Sequence, residues 1–281
     1  MRFCNIENHK AYDFVLDDKH HHRGISAMLR VKNEERTIRA SIISIIDFVD
    51  EVLVVDNGST DKTPDIIDEL VFSYPDKILS RTYPFRVSLC GLEFANTPAD
   101  SIHSLAYYYN WCKSGCKFSY LIKWDADMII PEHKRTRWKA IRDRVLNAND
   151  LVYQPIGRLV VLDESRKFRD SGLNFLDPRI YPNNNDYYFV KADNCFTERI
   201  GYRGEVFTFC RKKLNMVYSE EVDYFEVKDL NKNEFDHFGK GEAKLEEKQS
   251  REENLLGEMR KNTSKYQCIA GERFLELVDL Q

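Results

Sequence analysis

Two carboxylates one residue apart, Asp125 and Asp127, interrupt the otherwise apolar stretch FSYLIKWDADMIIP at residues 118–131. Acids at the end of a buried strand are costly, because lost hydration and mutual repulsion disfavour both charges unless something positive offsets them. A divalent cation does so. Mg²⁺ and Mn²⁺ prefer oxygen ligands and keep waters and substrate phosphates in their shells, so one or two protein carboxylates suffice. Strand ends are also where open α/β sheets take ligands. An acid-x-acid triplet alone is a common accident of acidic loops, and its weight here comes from the apolar strand before it and the nucleotide-type unit upstream.

That unit carries the second chemical group, DNGSTD at residues 56–61. Asp56 can accept hydrogen bonds from a base N–H or from ribose hydroxyls, and Gly58 permits close backbone approach. The plainer reading is a turn with a helix cap among Ser59, Thr60 and Asp61. The elements that must hold these residues follow from the pattern. GISAMLRV, from Gly24, is a short apolar run suited to a buried strand; Ile38, Ile42, Ile45 and Ile46 recur at helical spacing; and EVLVVD is a second β-branched strand. Strand, helix, strand in this order is a βαβ unit with parallel pairing. A second amphipathic helix follows with Pro64 near its first turn.

Residues 77–98 give short extended pieces without a dominant period, and SIHSLAYYYNWCKSG reads as a helix whose aromatics serve the core. After the basic helix HKRTRWKAIRDRVLNA come β segments: LVYQPIGRLVVLD, FRDSGLNFLDPRIYP, DYYFVKADNCF and YRGEVFTF. The stretch GKGEAKLEEKQSREENLLGEMRKN is a charged, solvated helix. The expected organisation is an N-terminal extension (1–23, ending in a three-histidine loop), a nucleotide-sugar-binding half (24–131), an acceptor-binding half (132–240) and a charged helical segment (241–281).

RVKNEERTIRASIISI, FVDEVLVVDNGSTDKT and YLIKWDADMII, in this order and spacing, resemble the family 2 inverting glycosyltransferases of the GT-A fold. The resemblance covers about residues 24 to 131 and fades beyond. It implies a Rossmann-like, mostly parallel sheet flanked by helices, with a β-rich acceptor half and a C-terminal helix. It implies that Arg30, Val31, Glu34 and Asp56 hold the nucleoside, and that Asp125 and Asp127 bind the metal, Mn²⁺ or Mg²⁺, and the donor diphosphate. His237, in FDHFGKG, stands where many such enzymes complete the metal shell, and an imidazole suits Mn²⁺. Lys240 could reach a phosphate or simply be exposed. An inverting transfer needs a base for the acceptor hydroxyl. Glu205, in YRGEVF, is the first choice and Asp193 the second, with Glu198, Glu220, Glu221 and Asp223 in reserve.

The implied partners are a nucleotide-sugar donor, a UDP-sugar first, and a glycan or lipid-linked acceptor, in polysaccharide or glycoconjugate synthesis. A formal charge of −4, from 42 Lys and Arg against 46 Asp and Glu, argues against nucleic acid. No apolar run is long enough to span a bilayer, and the first residues lack a signal peptide's apolar stretch. Seven cysteines at scattered spacings suit reduced thiols. The expected location is the cytoplasm, with room for peripheral contact at the inner face of a membrane. Two rivals share parts of this pattern. A nucleotidyltransferase would more often show a Gly-rich phosphate loop, which MLRVKNEE lacks, and a non-catalytic nucleotide- or sugar-binding domain could keep the same fold.

Overall fold

The computed structural model describes residues 1–17, 22–162, 168–174, 179–192, 198–206 and 214–229. The chain opens with a two-stranded ribbon, β1 (Arg2–Phe3) antiparallel to β2 (Phe14–Val15). Its strands are too short to carry a hydrophobic period, yet it folds against the body of the protein. Phe14 meets Tyr107 edge to face at 5.2 Å, and the Tyr107 hydroxyl donates to the Tyr12 carbonyl at 3.1 Å.

The βαβ unit follows as the pattern predicts, with β3 (His22–Val31), α1 (Ile38–Ile45) and β4 (Glu51–Asp56). Then come α2 (Thr63–Ser73), β5 (Ile78–Thr82), α3 (Leu92–Asn96) and α4 (Leu105–Ser114). α3 is a short helix inside a stretch expected to be extended, and α2 starts without a side-chain cap, at Lys62. β6 (Phe118–Trp124) stops at the acid triplet and β7 (Met128–Ile129) resumes beyond it, before α5 (Arg135–Asn147). The second half contributes β8 (Leu151–Leu162), β9 (Phe168–Asn174), β10 (Ile180–Pro182), β11 (Tyr187–Val190), β12 (Arg199–Tyr202), β13 (Glu205–Val206) and β14 (Asn215–Asp229).

Among the described residues one sheet dominates, in the order β5-β4-β3-β6-β10-β8-β14-β7, with β9 paired to β8. Its first four strands are parallel, and the three inner ones, β4, β3 and β6, are largely buried on both faces because helices cover both, while the edge strand β5 is mostly exposed. Ala27, Leu29, Val52 and Val54 pack with Ile38, Ile42 and Ile45 of α1, while Met28, Leu53 and Val55 pack with Tyr108 and Cys112 of α4. That alternation along each strand sets the two-sided core. Cys112 fills this core; burial pushes its thiol up to about 12, with Arg30 opposing, so the group stays a neutral hydrophobe. β10 then enters antiparallel to β6 and carries the sheet on to β8 and β14, so the second half extends the same sheet as the first. β11, β12 and β13 form a separate antiparallel sheet, tied to α4 by Asn110, whose side chain donates to the Phe189 carbonyl and accepts from its amide, both at 2.8 Å.

Glu51 is an acid at the amino end of β4, away from the acid triplet. It is buried, and no donor among the described residues satisfies its Oε1. Burial raises its carboxyl above the ordinary range, and the charges of Lys117 and Arg81 offset this only in part. A carboxyl raised by folding binds its proton more tightly in the native state, so stability falls as pH rises from the ordinary carboxylate range through the raised one. Glu51→Gln removes that dependence. The variant should melt above the wild type at pH 7, and the gap should close on acidification below the ordinary range. An equal difference at both pH values in thermal unfolding would contradict the assignment.

Candidate active site

The carboxyl ends of β3, β4 and β6 lie side by side, because Val31 is in register with Asp56 and Leu29 with Trp124. Two loops leave this edge, residues 32–37 after β3 and 57–63 after β4, and they are laced together. The amides of Asn33 and Glu34 donate to the hydroxyls of Ser59 and Thr63 at 2.8 and 2.7 Å. In return the amides of Thr60 and Lys62 donate to the side chains of Asn33 and Glu35 at 2.7 and 2.9 Å. DNGSTD is therefore a structural clasp as well as a strand end. Asp56 accepts from the amides of Gly58 and Ser59, each at 3.2 Å. Gly58 has φ +73, the left-handed region glycine adopts without a steric cost, and a Cβ there would meet nothing within 4 Å. Its side of the turn is open. Val31 is buried behind the clasp, and Glu34 accepts from the Thr37 hydroxyl at 3.2 Å.

The acid triplet is a tight turn held from α1. The Met128 amide donates to the Asp125 carbonyl at 3.0 Å, closing the turn. Ser41 and Ser44, three residues apart and so on one face of α1, grip it on both sides. The Ser41 hydroxyl donates to the Asp125 carbonyl at 3.1 Å and accepts from Trp124 Nε1 at 3.0 Å, while Ser44 Oγ accepts from the Ile130 amide at 3.1 Å. On the far side the Val227 amide of β14 donates to the Asp127 carbonyl at 2.8 Å. Asp127 is buried, and Asp125 reaches solvent with 31% of its side chain.

Charge around Asp125 is supplied by the protein itself. The Arg30 guanidinium pairs with Oδ1, and Arg179 Nη1 pairs with Oδ2 at 2.9 Å, with the two arginine side chains only 4% and 6% exposed. Arg30 also lies over the Tyr109 ring, 4.1 Å from its centroid, and its Nε and Nη1 meet no acceptor among the described residues. Burial alone would lower the Arg30 pKa, but Tyr109, Asp125 and Glu198 raise it beyond its ordinary value, so the cation is secure. Lys123, two residues before Asp125 near the end of β6, pairs with the buried Glu198 at 3.1 Å. Such a cluster of fixed cations beside a partly exposed carboxylate is suited to an oxyanion ligand.

The family model described as Beta-1,4-N-acetylgalactosaminyltransferase (CgtA) matches residues 5–151, just over half of the 281. The chain belongs to this family. The matched span runs from the opening ribbon to the start of β8, so the CgtA-family match takes in both laced loops and the acid triplet. No curated protein sequence matches the chain. Among solved structures, S. aureus TarS 1-349 is similar at 18% identity over 72% of this chain and 60% of that one, with a TM-score of 0.42. The mannosyltransferase PcManGT from Pyrobaculum calidifontis, in complex with GDP-Man and Mn²⁺, is similar at 19% identity over 52% and 40% of the two chains, with a TM-score of 0.35. Glucosyl-3-phosphoglycerate synthase from Mycobacterium tuberculosis, in complex with phosphoglyceric acid, follows at 22% identity over 50% and 44%, with a TM-score of 0.30. The chain thus spans 60% or less of the length of these three structures. The CgtA-family chain carries a mixed sheet whose first four strands are parallel and flanked by helices.

The residues expected from sequence divide by place. Arg30, Val31, Glu34, Asp56, Gly58, Asp125 and Asp127 all sit at the carboxyl edge of the parallel strands. Glu205 is exposed at the start of β13, opposite Tyr202, in the separate sheet. Asp193, His237, Lys240 and the charged helical segment lie outside the described residues. Of the reserve carboxylates only Glu198 joins the cluster. Asp223 is buried against Arg137 of α5 at 2.5 Å, and Glu221 pairs with Lys134, just before α5, at 2.5 Å. Arg179, Lys123 and Tyr109 were not expected at the site. Lys123 could have been found from its two-residue spacing to Asp125, whereas nothing local marks Arg179. Among the described residues no group of three or more His, Cys, Asp and Glu forms a cation cage.

Ser41 carries the mechanical load of the turn. Ser41→Ala would leave the buried Trp124 indole N–H without its acceptor and should lower the unfolding free energy by about 1–3 kcal/mol. Denaturant titration measures it, and a change within error would mean that the Trp124 contact is dispensable.

Proposed function

We propose that the chain is a metal-dependent inverting glycosyltransferase that moves a sugar from a nucleotide-sugar, a UDP-sugar, to a hydroxyl of a glycan or lipid-linked acceptor in glycoconjugate or polysaccharide synthesis. The family's description points to N-acetylgalactosamine as the sugar. One observation carries the reading: a carboxylate pair on a rigid turn at the edge of the parallel strands, beside buried cations and the laced nucleoside loops. In this reading residues 24–131 bind the nucleotide-sugar and residues 132–240 the acceptor. Arg30, Val31, Glu34, Asp56 and Gly58 form the nucleoside cradle.

The donor set fits a hard divalent cation. Asp125 and Asp127 are oxygen ligands one residue apart, one reaching solvent and one buried, and Mn²⁺ or Mg²⁺ completes its shell with waters and phosphates. His237 is the proposed additional ligand. Bound there, the ion supplies charge that stabilises the departing nucleoside diphosphate. The residues of the chain do the rest. Arg30 keeps positive charge beside the leaving group, and the clasp of residues 32–37 and 57–63 orients the nucleoside. The acceptor oxygen forms its bond to the anomeric carbon as the bond to the diphosphate breaks, and the hydroxyl proton passes to a carboxylate. Glu205 and Asp193 are the proposed bases. Glu198 stands beside them as a third because it is buried and paired with Lys123, two residues before Asp125. No described helix is long and apolar enough to cross a membrane; a cytoplasmic location with peripheral contact at the membrane is part of the proposal.

Asp127→Ala should cut sugar transfer by about 10²-fold or more, since several kcal/mol of transition-state stabilisation go with the ion. Transfer assays with Mn²⁺ test this, and unchanged turnover in the variant, or full turnover in excess chelator, overturns metal dependence. The product anomer should be inverted relative to the donor, as its anomeric coupling in nuclear magnetic resonance would record. One of Glu205→Gln, Asp193→Asn and Glu198→Gln should slow the chemical step by about 10²–10⁴ with donor binding intact. Retention of configuration contradicts direct displacement.

A further inference from the structure

A cavity of about 250 Å³ opens between α5 and the first half of β14, lined among others by Arg137, Ile141 and Arg144 of α5, Tyr153 of β8, and Tyr218 and Glu220 of β14. It is remote from the acid triplet. From Tyr218 to Val227, the residue bonded to Asp127, the strand runs roughly 20–30 Å. The three helical residues stand at i, i+4 and i+7 and so share one face of α5. Arg137 is fixed as a wall: its Nε pairs with the fully buried Asp223 at 2.5 Å, its Nη1 with Glu221 at 2.8 Å, and its Nη2 donates to Ser219 Oγ at 2.6 Å. Opposite it β14 is bulged, because Tyr218 pairs with Gln154 and Val222 with Ile156, so residues 219–221 face the single Pro155, which has no amide to donate. Bulges re-aim side chains beside binding sites, and this one sets Tyr218 and Glu220 on the cavity.

We infer that this cavity binds a hexopyranose ring, free or as one unit of a glycan, at a site separate from the donor edge. The inference does not rest on the proposed donor site.

Size, charge and surface each select that ligand. A volume of about 250 Å³ lies just below the roughly 300–1,000 Å³ of pockets for drug-sized molecules, which suits one sugar ring and not a nucleotide. The cations Lys134, Arg137 and Arg144 are balanced by Glu220, Glu221 and Asp223, so no net charge draws a phosphate or an ammonium group. Tyr218 is 49% exposed, a large aromatic surface on which the C–H face of a pyranose can stack. Arg144 and Glu220 are exposed and make no hydrogen bond or ion pair among the described residues, so a donor and an acceptor stand ready for neighbouring hydroxyls. A neutral ligand rich in hydroxyls and bearing one apolar face meets all of these conditions.

The test is saturation-transfer nuclear magnetic resonance of the full chain with the methyl glycosides of glucose, galactose, N-acetylglucosamine and N-acetylgalactosamine. At least one should bind the wild type. In Tyr218→Ala its affinity should fall about 10-fold or more, while Tyr218→Phe, which keeps the ring, should stay within about twofold of wild type. Binding by none of the four overturns the inference, as does equal affinity in Tyr218→Ala or a 10-fold loss in Tyr218→Phe. If the alanine variant does not fold, Arg144→Met decides, because it removes a hydroxyl's partner from an exposed position. It should weaken the sugar about 10-fold, and unchanged affinity overturns the inference. A disaccharide of the bound sugar separates the two sources: tighter binding than the methyl glycoside assigns the cavity to a glycan chain, and equal binding assigns it to a single ring.

Discussion

The site depends on how one carboxylate is neutralised. Asp125 follows an apolar strand, and its charge is tolerable there because two arginines, one on β3 and one just before β10, meet it. The pairing works only at the crossing of three elements: β3 delivers Arg30, β6 delivers the acid, and the residue before β10 delivers Arg179. Removing the acid would take from two buried arginines the carboxylate they share, and breaking such a buried pairing costs more than the pairing contributes. The same constraint explains the sheet. β10 is only a short strand, but it must lie antiparallel against β6 to bring Arg179 across from Lys123. Arginine suits both positions, since a planar, always charged fork can lie on an aromatic ring, as Arg30 does on Tyr109, while it holds an oxyanion.

Around that neutralised acid the backbone is fixed by small polar side chains. Ser41 and Ser44 hold the triplet's turn from α1, and Ser59, Thr63 and Asn33 lace two neighbouring loops. Short side chains lose little rotamer freedom when ordered, and each satisfies backbone groups that would otherwise be unpaired at a strand end. The outcome is a preorganised edge on which ligand contacts need little rearrangement. The β-rich half joins this edge through the continuous sheet, with Val227 of β14 bonded to Asp127.

Much of this was written locally. The isoleucines of α1 recur at helical spacing, β3 and β4 are apolar on both faces, and the acids interrupt β6 where its hydrophobic run stops, so the βαβ unit and the acid pair were legible from order and periodicity alone. The DNGSTD stretch was ambiguous between clasp and ligand contact, and the structure shows the clasp: Asp56 takes the amides of its own turn. β14 was missed because its alternation is broken by acids such as Glu220, Glu221 and Asp223. Its strand character comes from pairing parallel to β8, with register shifts between Tyr218 and Tyr224.

What the sequence by itself determined was the class of the core, the parallel unit and the place of the acid pair, because each is a short-range pattern of residue type and spacing. Only the tertiary structure decided the partners. Arg30 stands 95 residues from Asp125 and Arg179 stands 54 away, and Glu198 rather than Glu205 joins the cluster because the chain brings the residue before β12, not β13, against Lys123. No local period encodes a pairing across such distances. It is set by which strands share a sheet and by where a buried charge can find its opposite.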